Sequence, residues 1–196
     1  MGKNSKERVR CLLRFFGAVL ALPFVALTKL DRWVDERDAL FIFGAQALAS
    51  VPGVLGNAAR SAYYGRTLAL FEKGAAISFG SYFSKRGARV SAYAGIGAYC
   101  IIGLADIGAH ARIASRVSIT SGLHYHGGAG GLRDEECVER VSIGAHAWIG
   151  EGAVVGADVG AHGIVGMGSV VVQAVPEGAV VLGNPARRIP PVAHSA

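Results

Sequence analysis

Charge is scarce in this chain. Asp, Glu, Lys and Arg make up 17% of its 196 residues against 52% hydrophobic ones, which excludes a disordered protein because enough apolar surface exists to offset the entropy of ordering. Cysteine is scarcer still. Cys11, Cys100 and Cys137 form no CxxC pair, so neither a disulfide framework nor a cysteine zinc site is expected, and a reducing compartment fits. The net charge of +6 comes without a basic stripe interleaved with aromatics, which argues against nucleic acid as a partner. An anionic membrane surface and a phosphate-bearing ligand account for it better. Glycine is unevenly spread: six of the 28 precede residue 71, so the chain divides into two compositional parts. The expected organisation is a helical segment over 1–73, a repeat domain over 74–189 with a loop insertion at 120–140, and a tail over 190–196.

In the first part Lys3, Lys6, Arg8, Arg10 and Arg14 lead into an uncharged run from Phe15 to Leu27. As a helix those 13 residues reach about 20 Å against a hydrocarbon core of about 30 Å, and Pro23 is expected to disturb them. A full transmembrane span is therefore not expected. A signal peptide, an in-plane membrane anchor and a helix packed on the protein itself remain, and the basic flanks favour the anchor. No small-x-small cleavage site follows the run, and position six lacks the Ser or Thr of a myristoylation signal. A second apolar segment, Ala39 to Leu55, precedes a helical stretch whose Arg60, Tyr63, Tyr64 and Arg66 read equally as surface packing or as functional residues.

From residue 90 aliphatic residues recur every six positions. The sets are Val90, Ile96, Ile102; Ile107, Ile113, Ile119; Ile143, Ile149, Val155; and Val159, Val165, Val171, and glycine follows in eight of these twelve positions. Neither a helix nor an alternating strand has that period. A triangular solenoid does: each hexad gives one short strand, its aliphatic points inward, and three hexads close a coil. The phase slips by five residues between Ile102 and Ile107 and by four between Val155 and Val159, so some corners are irregular.

Residues 120–140 interrupt the repeat with a glycine-rich, charged segment that contains His124 and His126. An imidazole titrates near ~6.5 unperturbed, which suits a base that takes a proton from an attacking hydroxyl. Asp134, Glu135 and Glu136 are candidates to orient it. By contrast His110, His146 and His162 recur at one offset in Ile-Gly-Ala-His or Val-Gly-Ala-His and read as equivalent outer positions of successive coils.

The hexads, the segment Ile143-Gly-Ala-His-Ala-Trp-Ile-Gly150 and the segment Val181-Leu-Gly-Asn-Pro-Ala-Arg187 resemble the hexapeptide-repeat acyltransferases, in particular the polysaccharide and sugar O-acetyltransferases, over roughly Ile77 to Ile189. The resemblance implies a left-handed parallel β-helix, a homotrimer, and acetyl-CoA as acyl donor bound between prisms, with no metal. It implies His126 or His124 as general base, Trp148 beside the active site, and Gly183, Asn184, Pro185 and Ala186 near the pantetheine. It also implies that Arg187 and Arg188 meet the phosphates, unless they belong to a solvated extension. Many sugar acetyltransferases place proline after the catalytic histidine, whereas Tyr125 and Gly127 stand there, which leaves the base open between the two. With the membrane-leaning segment, the expected acceptor is a saccharide or lipid-linked saccharide of envelope or exopolysaccharide synthesis, at the inner face of the cytoplasmic membrane. The rival readings are a γ-carbonic-anhydrase-like zinc hydratase using His124, His126 and His110 or His146, and a non-catalytic trimeric scaffold.

Overall fold

The computed structural model describes residues 3–34, 38–123, 127–128, 131–132 and 137–190. Four helices come first: α1 (Lys3–Thr28), α2 (Asp31–Val34), α3 (Ala39–Ala49) and α4 (Gly53–Thr67). The first coil of the solenoid follows as β1 (Leu70–Phe71), β2 (Ala76–Ile77) and β3 (Tyr82–Phe83), the second as β4 (Arg89–Val90), β5 (Gly95–Ile96) and β6 (Ile101–Ile102), and the third as β7 (Ala105–Ile107), β8 (Arg112–Ile113) and β9 (Ser118–Ile119). A small hairpin, β10 (Gly127–Gly128) with β11 (Gly131–Leu132), stands in the interruption. The stack resumes with β12 (Val141–Ile143), β13 (Trp148–Ile149) and β14 (Val154–Val155), continues through β15 (Ile164–Val165), β16 (Val170–Val171) and β17 (Val180–Leu182), and closes with β18 (Arg187–Arg188).

Three parallel faces result, and the expected β-helix is present. We term them A (β1, β4, β7, β12), B (β2, β5, β8, β13, β15, β17, with β18 antiparallel at the end) and C (β3, β6, β9, β14, β16). Val159 and Val175 extend face A as single bridges. All twelve aliphatics of the hexad pattern are buried, and Ile77, Phe83, Val175 and Val181 prolong their columns at the two ends. Small residues such as Ala94, Ala111, Ala147 and Ala153 fill the second inward position of each hexad. Each coil hydrogen-bonds to the next, as where Arg112 N donates to Ala147 O (2.8 Å) and Trp148 N to Gly163 O (2.9 Å), which pairs the backbone of successive coils.

The phase slips have one location. Along A to B and B to C every step between inward residues is six, whereas from C to A it is seven (Phe83 to Val90), five (Ile102 to Ile107), 24 (Ile119 to Ile143), four (Val155 to Val159) and four (Val171 to Val175). Two edges of the prism are regular. The third absorbs all the variation in length.

The helices cap the open end of the first coil. Asp31 accepts hydrogen bonds from Leu40 N (2.6 Å) and Phe41 N (3.0 Å) at the start of α3 and pairs with Arg86 of the solenoid. Arg60 of α4 holds the other end of α3: its Nη1 donates to Leu48 O (2.9 Å) and Val51 O (2.8 Å), its Nη2 to Asn57 Oδ1 (2.5 Å), and its Nε to Ile77 O (3.1 Å) in the first coil. An acid at the N-terminus and a cation at the C-terminus both suit the helix dipole. Tyr63 stacks on Phe41 (5.8 Å between centroids) and donates to Phe41 O (2.7 Å), and Tyr64 meets Phe83 edge-on (5.2 Å). Arg60, Tyr63 and Tyr64 are fully buried, which overturns their reading as surface packing. The α4 face that carries them lies directly on the solenoid's open end.

The N-terminal helix also departs from expectation. It has 26 residues, so it spans roughly 39 Å, and Pro23 sits inside it on the exposed side without ending it. Polar residues before Phe15 continue the helix because helical geometry there does not depend on an apolar side chain. One face of α1 packs on α4, where Gly17 lies so close to Ala58 that a Cβ would come within 2.6 Å of the Ala58 Cβ.

Candidate active site

The interruption leaves the solenoid at the C to A edge, and both of its roots are fixed. On the way out, Thr120 N donates to Val155 O (3.0 Å), Thr120 Oγ1 donates to Gly122 O (2.9 Å), and buried Ser121 accepts Leu104 N on its Oγ (3.0 Å). Leu123 lies over Gly156, where a Cβ would stand 2.4 Å from Leu123 Cδ2; Gly156 is thus the space that seats the outgoing chain. On the way back, Glu139 N donates to Ser121 O (2.8 Å), Arg140 Nη1 reaches Asp106 Oδ1 (2.5 Å) and Gly87 O (3.0 Å), and Val141 N donates to Leu104 O (3.0 Å). The coil below and the coil above both hold this base. His124, His126 and the acidic run 134–136 lie outside the described residues.

Trp148 stands on face B, exposed, with Arg112 as its neighbour on one side and Ile164 on the other. Arg112 holds its position by donating from Nη1 to Tyr93 O (2.5 Å). Three strand steps further along the same face are Arg187 and Arg188, roughly 14 Å away at the usual spacing of neighbouring strands. Both are exposed and neither has an ion-pair partner among the described residues. The turn between β17 and β18 folds over face C: Gly183 N donates to Ser169 Oγ (3.1 Å), Gly183 O accepts Val170 N (2.9 Å), and Ala186 N donates to Val170 O (2.8 Å). Asn184 and Pro185, joined by a cis peptide, are exposed at its tip. The structure therefore brings Trp148, Arg187 and Arg188 onto one face and the Gly183 to Ala186 turn beside it. Face B lies opposite the C to A edge, where the described roots of the loop stand.

His110, His146 and His162 form a ladder along the A to B edge. Their rings are parallel and 4.9 and 5.0 Å apart, with Tyr93 stacked below His110 at 5.2 Å. All four residues have φ between 56° and 59°, the left-handed corner conformation that glycine takes at Gly74 and Gly178 at the ends of the same row. They are equivalent outer positions, as their spacing predicts. They also stand on a different edge from the one the loop leaves.

Arg112, Ser121 and Glu139 were not singled out from the sequence. Arg112 had a usable signal, since it immediately precedes an inward aliphatic at the same hexad position as Trp148. Ser121 and Glu139 had none, because nothing local tells which residues of an interruption close its base.

No family model and no curated protein sequence matches the chain. Solved structures do. A maltose O-acetyltransferase from Clostridium difficile 630 superposes with a TM-score of 0.63 at 23% identity, over 79% of this chain and 84% of that one. A hexapeptide-repeat containing acetyltransferase from Vibrio cholerae gives 0.62 at 21% identity, over 74% and 84%. A galactoside acetyltransferase in complex with coenzyme A gives 0.60 at 24% identity, over 67% and 69%. The fold is that of the hexapeptide-repeat acetyltransferases. On this hexapeptide-repeat solenoid the long interruption occupies the one edge whose step length varies, while Trp148 and the terminal arginines occupy the opposite face.

Proposed function

We propose that the protein transfers an acetyl group from acetyl-CoA to a hydroxyl of a saccharide. The observation that carries this reading is the single 24-residue step at the C to A edge: it anchors a segment with two histidines at both roots on a scaffold shared with acetyltransferases. His126 or His124 takes the proton of the acceptor hydroxyl as its oxygen attacks the thioester carbonyl, and a backbone amide stabilises the oxyanion. Collapse then breaks the C–S bond, and the departing thiolate of CoA receives the proton. Trp148 and the Gly183 to Ala186 turn line the path of the pantetheine, and Arg187 and Arg188 take the phosphates.

The loop and face B lie on opposite sides of one prism, so this reading requires a neighbouring copy. The loop of one protomer faces face B of the next in a homotrimer. The acceptor in this reading is an envelope or exopolysaccharide sugar, or its lipid-linked precursor, reached from the cytoplasmic side by a protein held at the membrane surface.

The test is release of CoA from acetyl-CoA with saccharide acceptors, for wild type and for His124→Ala and His126→Ala. The true base, once removed, lowers turnover by about 10² or more and leaves acetyl-CoA binding, measured by calorimetry, nearly intact. Unchanged rates in both variants would refute the assignment.

A further inference from the structure

The two sides of α1 meet different surroundings. Gly17, Ala21 and Thr28 are buried on the side towards the protein. Leu12, Phe15, Phe16, Val19 and Leu22 are between 47% and 62% exposed. At the helical increment per residue these five fall within an arc of about 120° opposite Gly17. Phe43 of α3, also exposed, stands beside Phe24 of α1 (6.3 Å), so the apolar surface runs on past the helix. A contiguous patch of this kind on a soluble surface marks an interaction site.

Charge identifies the partner. Arg8 and Lys29, both exposed, stand at the two ends of the apolar arc. Neither has an ion-pair partner among the described residues. A cavity of about 600 Å³ lined by Arg10, Arg14 and Lys73 lies between α1, α4 and the first coil, on the protein side of the helix, and takes no part. A second copy of this surface would set cation against cation. An anionic lipid surface offers acyl chains to the arc and phosphates to the cations.

By length and composition α1 could cross a membrane. Its packing rules that out: Gly17 sits against the Ala58 backbone of α4, and α4 is tied to the first coil through Arg60. The packed face cannot turn to lipid without dismantling the cap. We propose that α1 lies in the plane of an anionic bilayer, with Leu12, Phe15, Phe16, Val19 and Leu22 among the acyl chains and lipid phosphates at Arg8 and Lys29. This deepens the membrane location in the function proposed above and is independent of the acyl transfer.

Cys11 provides the probe. It is exposed near the border of the arc, whereas Cys100 is buried, so in a Cys137→Ser background an environment-sensitive fluorophore on Cys11 reports insertion. Full-length protein should co-sediment with phosphatidylcholine–phosphatidylglycerol vesicles and show a blue shift. Pure phosphatidylcholine should bind it more weakly, and salt should weaken binding to the mixed vesicles. Phe15→Ser/Phe16→Ser/Val19→Ser should lower partitioning about tenfold or more with an unchanged circular dichroism spectrum. Arg8→Gln/Lys29→Gln should weaken the preference for phosphatidylglycerol more than Arg10→Gln/Arg14→Gln does. The proposal is overturned if wild type ignores both vesicles, if the Ser variant binds as well as wild type, or if alkaline carbonate fails to strip the protein from cell membranes. A Ser variant that changes oligomer size but not vesicle binding would assign the patch to a second copy. Loss of vesicle binding with CoA release intact would separate this failure from that of the acyl transfer.

Discussion

Replacing Arg60 with Met tests whether one buried cation holds the helical cap to the solenoid. Arg60 has no exposed area and no carboxylate partner among the described residues, and burial pulls its guanidinium below the ordinary arginine value. Its charge is met by backbone carbonyls: Leu48 O, Val51 O and Ile77 O within 3.1 Å, and Ala49 O more loosely at 3.4 Å. Methionine keeps much of the volume and none of the donors. Leu48 O keeps a donor in Val51 N (3.2 Å), so Val51 O and Ile77 O are the two close acceptors left without a partner, at ~1–3 kcal/mol each or about 2–6 kcal/mol together. Relief of the guanidinium's own desolvation offsets part of this. A net loss of about 2–4 kcal/mol is expected, which at ~2–4 °C per kcal/mol lowers the melting temperature by roughly 4–16 °C. Urea unfolding followed by far-UV circular dichroism measures the loss. Hydrogen exchange should show where it falls, in the last turn of α3 and in α4. A loss under about 1 kcal/mol, or one spread evenly over the solenoid, would refute the clamp.

Two further predictions concern the same structural reasoning. His146 has φ 58°, so His146→Gly relieves about 1 kcal/mol of backbone strain while giving up two ring contacts and should leave the melting temperature almost unchanged. His146→Val should cost ~1–2 kcal/mol more than the glycine variant in the same thermal scan, and equal stability of the two would refute the corner reading. Burial raises the phenol pKa of Tyr63 and Tyr64 in the folded state. The native state then holds protons that the unfolded state releases, so their contribution to stability is intact below pH ~10 and falls as pH rises above it. Absorbance at 295 nm should show a late ionisation step that coincides with loss of circular dichroism. Ionisation of all tyrosines ahead of unfolding would contradict the burial.

The prism was legible because its signal is repeated: Val90 to Val171 carry the same aliphatic at the same interval, and each copy supports the others. The first coil lies within the expected repeat domain yet adds no set to the hexad pattern, since Phe83 stands where an aliphatic is expected and the next step to Val90 is seven residues. The cap was misjudged for a different reason. Ala59, Arg60, Tyr63 and Tyr64 do share one helical face, but a cation within such a face normally points to water, and only the converging carbonyls of α3 and β2 make its burial tolerable. The position of the interruption could be read from the broken period. Its separation from Trp148 could not, because that depends on which edge of the triangle the interruption occupies, and a period of six is the same on all three.

The unequal edges have a consequence for how such a protein can change. Chain added at the C to A edge alters neither the pairing of the strands nor the height at which the next coil begins, so steps of four and of 24 residues coexist in one stack. Insertion and deletion there are mechanically silent to the rest of the molecule. Exchanging residues 124–138, between the anchored roots, for a segment of another length should therefore leave the surfaces on faces B and C in place and, in the acyl-transfer reading proposed above, alter which acceptor the protein meets.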